Sequence, residues 1–266
     1  MTNAGLREKP DAGSARKVQG LLCFLAVGFA LLAGTCLGGN EFKLMSYNVR
    51  ILVSPNTGHD ITSNVVDVIT SERPRFVALQ EIYHGGEKYG DQVAKLAQLT
   101  GMVGTSCGGP SETSFYGIAL LSDVAPLSTR CVALPGTEKR ALLIAEFEDC
   151  YACCTHLSNT RESERLESVP LIRDAIKDLN KPVFVSGDWN GTPDTDTFDA
   201  MREIVTVLSP TDQATFHDGD WCLDYVSVRN ADAVKFSVID RSRVDDSKYK
   251  MERSDHYPIV VTVQRR

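Results

Sequence analysis

Chemistry-bearing side chains stand at the ends of apolar runs in this sequence. Asn48 closes Lys43-Leu44-Met45-Ser46-Tyr47, Glu81 closes Val77-Ala78-Leu79-Gln80, and His156 closes Ala152-Cys153-Cys154-Thr155. Asp188 and Asn190 follow Val183-Phe184-Val185-Ser186-Gly187, Asp224 opens Tyr225-Val226-Ser227-Val228, and Asp255-His256 opens Tyr257-Pro258-Ile259-Val260-Val261. Amides, carboxylates and two imidazoles make an oxygen-rich set. That suits Mg²⁺, which prefers oxygen ligands and keeps several waters, whereas zinc would draw on more imidazole or thiolate. Hydrolysis of a phosphate ester is one reaction whose demands such a set meets. The ester's negative charge repels hydroxide, so catalysis requires a cation on the phosphate, donors for its equatorial oxygens and an oriented water in line. Singly, each residue has a plainer reading. A strand-end Asn or Glu is commonly a turn former, His156 alone reads as a satisfied buried histidine, Asp224 as a turn cap and Trp189 as packing. The chemical reading depends on the whole set meeting at one rim.

The elements that must position these residues are short. Apolar runs bounded by turn residues predict strands at 42–48, 76–80, 117–121, 141–147, 151–155, 183–186, 225–228, 234–239 and 259–263. Helical spacing covers 64–71, where Val65, Val66, Val68 and Ile69 share a face, and also 92–99, 161–179 and 196–205. Pro170 is expected to start or kink a helix within 161–179, because its ring cannot donate the interior bond. Strands outnumber helices, which predicts two sheets packed face to face with helices outside, a layered α/β sandwich. Polar residues at the strand tips of such a sandwich converge on one rim.

Of the 266 residues, 42% are hydrophobic and 24% charged, which excludes a collagen, a disordered tail and a polytopic membrane protein. Residues 1–40 read as a targeting segment. Arg16 and Lys17 precede the apolar stretch Leu21 to Ala33, and small residues follow it, the three parts of a secretory signal. A retained N-terminal membrane anchor is the alternative, since Leu21 to Leu37 is near the lower limit of roughly 17–25 residues for a spanning helix. Cys36 also resembles a bacterial lipoprotein acceptor displaced by one residue. Export is the expectation: secreted, periplasmic or membrane-anchored, with membrane contact through this segment. No linker, low-complexity tract or repeat divides residues 41–266, which read as one domain. The leader holds Arg7, Lys9, Arg16 and Lys17 against Glu8 and Asp11, so the chain's net −7 leaves −9 on the remainder. Such a body disfavours nucleic acid as a partner, because nonspecific grip on it depends on Lys and Arg displacing counterions. Cys107, Cys131, Cys150, Cys153, Cys154 and Cys222 follow the leader. Structural thiols or disulfides are the expected reading, although Cys150-x-x-Cys153-Cys154 leaves metal or redox chemistry as the alternative.

Seven segments occur in order: Leu44-Met45-Ser46-Tyr47-Asn48-Val49-Arg50, Ala78-Leu79-Gln80-Glu81, Tyr116-Gly117-Ile118-Ala119-Leu120-Leu121-Ser122, Thr155-His156-Leu157, Gly187-Asp188-Trp189-Asn190, Asp224-Tyr225-Val226 and Ser254-Asp255-His256-Tyr257-Pro258. Together they resemble the endonuclease/exonuclease/phosphatase family, which includes pancreatic-type deoxyribonuclease, apurinic-site endonucleases, neutral sphingomyelinases and inositol polyphosphate 5-phosphatases. The resemblance spans about residues 42–264. It implies a four-layer α/β sandwich, two packed mixed β-sheets flanked by helices, with residues 41–266 as the catalytic domain. It further implies that Glu81 is the principal Mg²⁺ ligand, helped by Asn48 and Asp255, with Mn²⁺ as a substitute. Asp188 resembles the residue that orients or deprotonates the attacking water, and Asn190 a donor to a phosphate oxygen. His256 resembles an imidazole paired to Asp224, and His156 a second one facing phosphate or leaving group. Arg140 and Arg165 resemble substrate-binding arginines, with solvated charge as the plainer reading. Trp189 replaces the family's usual Phe, and Ile118 stands where many relatives carry a polar residue. His59, His84 and His217 fall in polar loops, where surface histidine is the default.

The function these readings imply is an exported, Mg²⁺-dependent phosphohydrolase that cleaves a phosphodiester or phosphomonoester by in-line attack of an activated water, on a lipid head group or small organophosphate. The alternatives are an exported nuclease degrading DNA or RNA and a catalytically silent binding module on the same scaffold. No Gly-x-Ser-x-Gly elbow supports a serine hydrolase.

Overall fold

The computed structural model describes residues 41–108, 115–229 and 236–265. The leader at 1–40 lies outside the described residues, as do 234 and 235 of the expected strand at 234–239. Among the described residues no helix is long and apolar enough to cross a membrane.

The chain runs β1 (Glu41–Asn48), α1 (Thr62–Glu72), β2 (Phe76–Tyr83), α2 (Gln92–Thr100), β3 (Val103–Gly108), β4 (Tyr116–Ser122), β5 (Ser128–Leu134), β6 (Arg140–Glu146), β7 (Tyr151–His156), α3 (Glu162–Ile176), β8 (Val183–Asp188), α4 (Asp196–Arg202), β9 (Thr206–Val207), β10 (Asp224–Arg229), β11 (Phe236–Arg243) and β12 (Ile259–Arg265). Two mixed six-stranded sheets result, in the orders β11-β12-β1-β2-β4-β3 and β5-β6-β7-β8-β10-β9. The parallel pairs are β1–β2 and β7–β8, each joined by a crossover that carries a helix, as parallel pairing requires.

The period of two in the strands sorts side chains into layers. Phe76 and Ala78 of β2 join Leu143, Cys154, Phe184 and Val226 in the core between the sheets. Val77 and Leu79 point the other way, against Val65, Ile69 and Leu96 of α1 and α2. On the far side Leu142, Ile144 and Cys153 pack under Ile172 and Ile176 of α3 and Phe198 and Met201 of α4. Helices, sheet, sheet, helices make four layers, as expected. The same alternation settles the close cysteines. Cys153 and Cys154 lie in cores on opposite faces of one sheet, and both are free and buried, so they form no shared metal site.

Asp91 caps α2 by accepting from the Ala94 amide at 2.8 Å, and Gly101, with φ of 72°, ends it. Pro170 neither starts nor splits its helix. It lies inside α3, which runs unbroken from Glu162 to Ile176. Arg75, ahead of β2, chelates Asp149 of the β6–β7 turn with two bonds of 2.8 Å, tying one sheet to the other. A disulfide between Cys107 of β3 and Cys131 of β5 links the sheets at their edge strands.

Candidate active site

The strand tips do converge. In the second sheet the register sets His156 beside Asp188 and Asp188 beside Asp224, one row across β7, β8 and β10. A Cβ on Gly187 would collide with the Thr155 carbonyl, so glycine alone permits this close approach one residue before Asp188. In the first sheet Asn48 pairs with Gln80, and Glu81 follows. Glu81 breaks the alternation of β2. The register with β4 slips between Gln80 and Ile82, and Glu81 has a φ of 54°. Such a bulge costs backbone energy and re-aims one side chain.

Side chains from both sheets then meet. The Asn48 amide donates to Glu81 Oε1 and to Asp188 Oδ2, each at 3.2 Å, and its Oδ1 accepts from the Arg50 amide at 3.1 Å. Asp188 Oδ2 lies 3.5 Å from His156 Nε2 and 3.8 Å from His256 Nε2. His256 Nδ1 is 2.8 Å from Asp224 Oδ2. Asp255 is paired to Arg50 Nε at 3.1 Å. Asn190, with φ of 50°, donates through its backbone to Asp188 Oδ1 and through its amide to the Leu157 carbonyl.

These neighbours bias the charges. Burial first, and the Asp224 carboxylate second, push Asp188 up to about 7. Glu81 is also raised, by burial and by the like charge of Asp255, against the opposing Asn48 bond. For His256 burial opposes the charged form, but Asp224, Asp188 and Asp255 outweigh it and lift the imidazole to about 10. His156 goes the other way. Burial, with Arg140 and His256 as charged neighbours, holds it well below the usual range.

Two contributors receive no role from the sequence. Thr215 donates to Asp224 Oδ2 at 2.6 Å and accepts from the Leu223 and Asp224 amides. Ser254 donates to the Asn48 carbonyl at 2.7 Å. Thr215 stands in no apolar run and in none of the ordered segments, and Ser254 belongs to the segment of Asp255 and His256, whose types do not reveal its bond to Asn48. Arg140 is 3% exposed and bonds His156. Arg165 is not brought into the group: it bonds Thr197 Oγ1 and the Ser158 carbonyl, tying α3 to α4. His217 departs from the surface default. Its side chain is 5% exposed and paired to Asp246 at 3.1 Å, whereas His59 is exposed.

Asp188, Asp224 and His256 offer ligand atoms within 4.8 Å of one another. Asp224 Oδ2 is committed to His256 and Thr215, its Oδ1 is buried without a partner, and His256 Nε2 stands 3.8 Å from Asp188 Oδ2. Glu81 and Asp255 supply carboxylate oxygens at the neighbouring rim, while Asn48 turns its N–H groups to Glu81 and Asp188 and its Oδ1 to the Arg50 amide. Carboxylate oxygens are the donors a hard divalent ion takes, and Glu81 is raised by burial before the like charge of Asp255.

The chain belongs to the endonuclease/exonuclease/phosphatase family, whose model matches residues 45–256. Members of this family are phosphoesterase hydrolases, generally dependent on divalent metal. Solved structures share the fold at low identity. A family member from Beutenbergia cavernae is 20% identical with a TM-score of 0.67, covering 85% of this chain and 72% of its own. One from Bacteroides vulgatus is 17% identical with a TM-score of 0.72, covering 85% and 99%. A mannosyl-6-phosphatase from Bacteroides thetaiotaomicron is 16% identical with a TM-score of 0.62, covering 84% and 99%. No curated protein matches the chain in sequence.

Proposed function

We propose that this chain is an exported, Mg²⁺-dependent phosphohydrolase acting on a small organophosphate or lipid head group. The observation that carries the reading is the Asn48 amide bridging Glu81 and Asp188 at 3.2 Å each, with both imidazoles within 4 Å of Asp188. Glu81, Asn48 and Asp255 would hold the metal, which supplies charge neutralisation on the phosphate when bound. Asp188, its basicity raised by burial, orients and deprotonates the water. His256, charged through Asp224, donates to a phosphoryl oxygen, and His156 donates to the phosphoryl group or leaving oxygen. Export rests on the leader at 1–40 and is supported by the Cys107–Cys131 disulfide, since such bonds persist in oxidising compartments. The net −9 of the body argues against a nuclease. One protein of the same fold is a mannosyl-6-phosphatase, which keeps a small phosphomonoester among the substrates to test.

The test is a panel of p-nitrophenyl phosphate, bis-p-nitrophenyl phosphate, sphingomyelin and plasmid DNA, in Mg²⁺, in Mn²⁺ and in chelator. Small esters should be cleaved in Mg²⁺ alone or Mn²⁺ alone, not in chelator, and Glu81→Gln should lose that turnover. Plasmid cleavage with no turnover of small esters would favour the nuclease. Metal-dependent thermal stabilisation without hydrolysis of any substrate would favour the binding module.

A further inference from the structure

The two imidazoles of the site have opposite partners on Nδ1. His256 Nδ1 faces a carboxylate, Asp224, at 2.8 Å. His156 Nδ1 faces a guanidinium, Arg140 Nη1, also at 2.8 Å. A guanidinium only donates and does not deprotonate in proteins. The hydrogen bond therefore requires a lone pair on His156 Nδ1, and the ring's single proton sits on Nε2, the atom 3.5 Å from Asp188 Oδ2. An imidazolium would set two donors against each other across 2.8 Å in a buried place. We propose that Arg140 is a positioning residue that locks His156 as the Nε2–H tautomer, so that this imidazole donates a hydrogen bond to the reacting phosphoryl group or leaving oxygen and transfers no proton. Loss of the Nε2 proton would leave an imidazolate, so this ring keeps its proton.

Three of the five N–H donors of Arg140 are engaged within the protein, the first on His156. Its Nη2 is 3.2 Å from Asn159 Oδ1 and 3.1 Å from Glu138 Oε2. Its Nε is buried without a partner, and the whole residue is 3% exposed. The family resemblance implies a phosphate contact for Arg140, whereas the partner its Nη1 meets is His156. The charged and titratable groups around His156 are Arg140 from β6, Asp188 from β8 and His256 ahead of β12.

The proposal rests on the phosphohydrolase reading for what His156 does, but its geometry is tested separately. In protein ¹⁵N-labelled in its five histidines, His156→Asn assigns the His156 ring signals. The expected spectrum in chelator shows an acceptor-type Nδ1 and a protonated Nε2. A proton on Nδ1, or on both nitrogens, at neutral pH overturns the proposal even where hydrolysis is normal. Arg140→Met should move His156 to the other tautomer or a mixture and lower kcat about 10–100-fold, the usual cost of losing an orienting partner, with KM near wild type. Arg140→Lys keeps one donor and should restore both the tautomer and most of kcat. A raised KM with unaltered His156 nitrogens would assign Arg140 to substrate binding and refute the positioning role. Failure of the wild type to hydrolyse any ester would end the phosphohydrolase reading, while the tautomer still decides this one.

Discussion

Thr215→Val is the substitution that most sharply tests how the site is held. Valine matches threonine in shape, so the change removes one hydroxyl and little else. That hydroxyl makes three bonds, one donated to Asp224 Oδ2 at 2.6 Å and two accepted from the Leu223 and Asp224 amides at 2.9 and 3.1 Å. Thr215 is 1% exposed and Asp224 fully buried, so water does not readily replace the lost partner. A hydrogen bond to a charged group contributes about 1.5–3 kcal/mol, and each buried donor left unsatisfied costs about 1–3 kcal/mol. Relaxation shares these costs, and about 2–5 kcal/mol is the expected loss. For a body of this size each kcal/mol shifts Tm by about 2–4 °C, giving a drop of about 4–20 °C. Asp224 also loses the one hydrogen bond to its carboxylate besides that of His256, so kcat should fall about 10–100-fold. Calorimetry and steady-state kinetics on Thr215→Val and Thr215→Ser read both effects. Serine should recover most of each. A valine variant as stable and active as wild type would refute the idea that Asp224 is held from the Thr215 side.

Stability in chelator should depend on pH through His256. Its pKa rises from the ordinary 6.5 to about 10 on folding, so the imidazolium stabilises fully below about 6.5 and loses that contribution as pH climbs through 10. The Tm gap between wild type and His256→Asn should narrow from pH 6 to pH 10, and a constant gap would contradict the pairing. The Cys107–Cys131 bond closes a span of 24 residues, which corresponds to about 3 kcal/mol of chain entropy. Reductant or Cys131→Ser should therefore lower Tm, and an unchanged Tm would place the sheets' cohesion in the core and the Arg75–Asp149 pair alone.

The buried strands were legible because each is a short apolar run with turn residues at both ends. The strands that escaped are of another kind. In β5 most residues are exposed, and β3 is Val-Gly-Thr-Ser-Cys-Gly with one buried position. Both are edge strands, which bury too little to need an apolar run. The order of the site residues was legible for a related reason: each terminates or opens a buried strand, where a polar residue stands out. What the spacing could not carry is geometry made by exceptions. The bulge at Glu81 is invisible in Leu79-Gln80-Glu81-Ile82, since nothing in those types requires a left-handed φ. The burial of His217 depends on Asp246 and Tyr257, which arrive from distant segments.

The bonds that make the site join one sheet to the other. Asn48 and Glu81 belong to the first sheet, Asp188 to the second, and the Asn48 amide spans them. His256 leads into β12 of the first sheet yet pairs with Asp224 of β10 in the second. The distance between these partners is therefore set by the inter-sheet core, by Phe76, Leu120, Leu143 and Phe184, and by the clamps at Arg75–Asp149 and Cys107–Cys131. A displacement of about 1 Å in a reacting group can cost about 100-fold in rate. Packing between the sheets is thus part of the catalytic geometry, and a core truncation far from Asp188 acts on the reaction through the spacing of the two strand-tip rows.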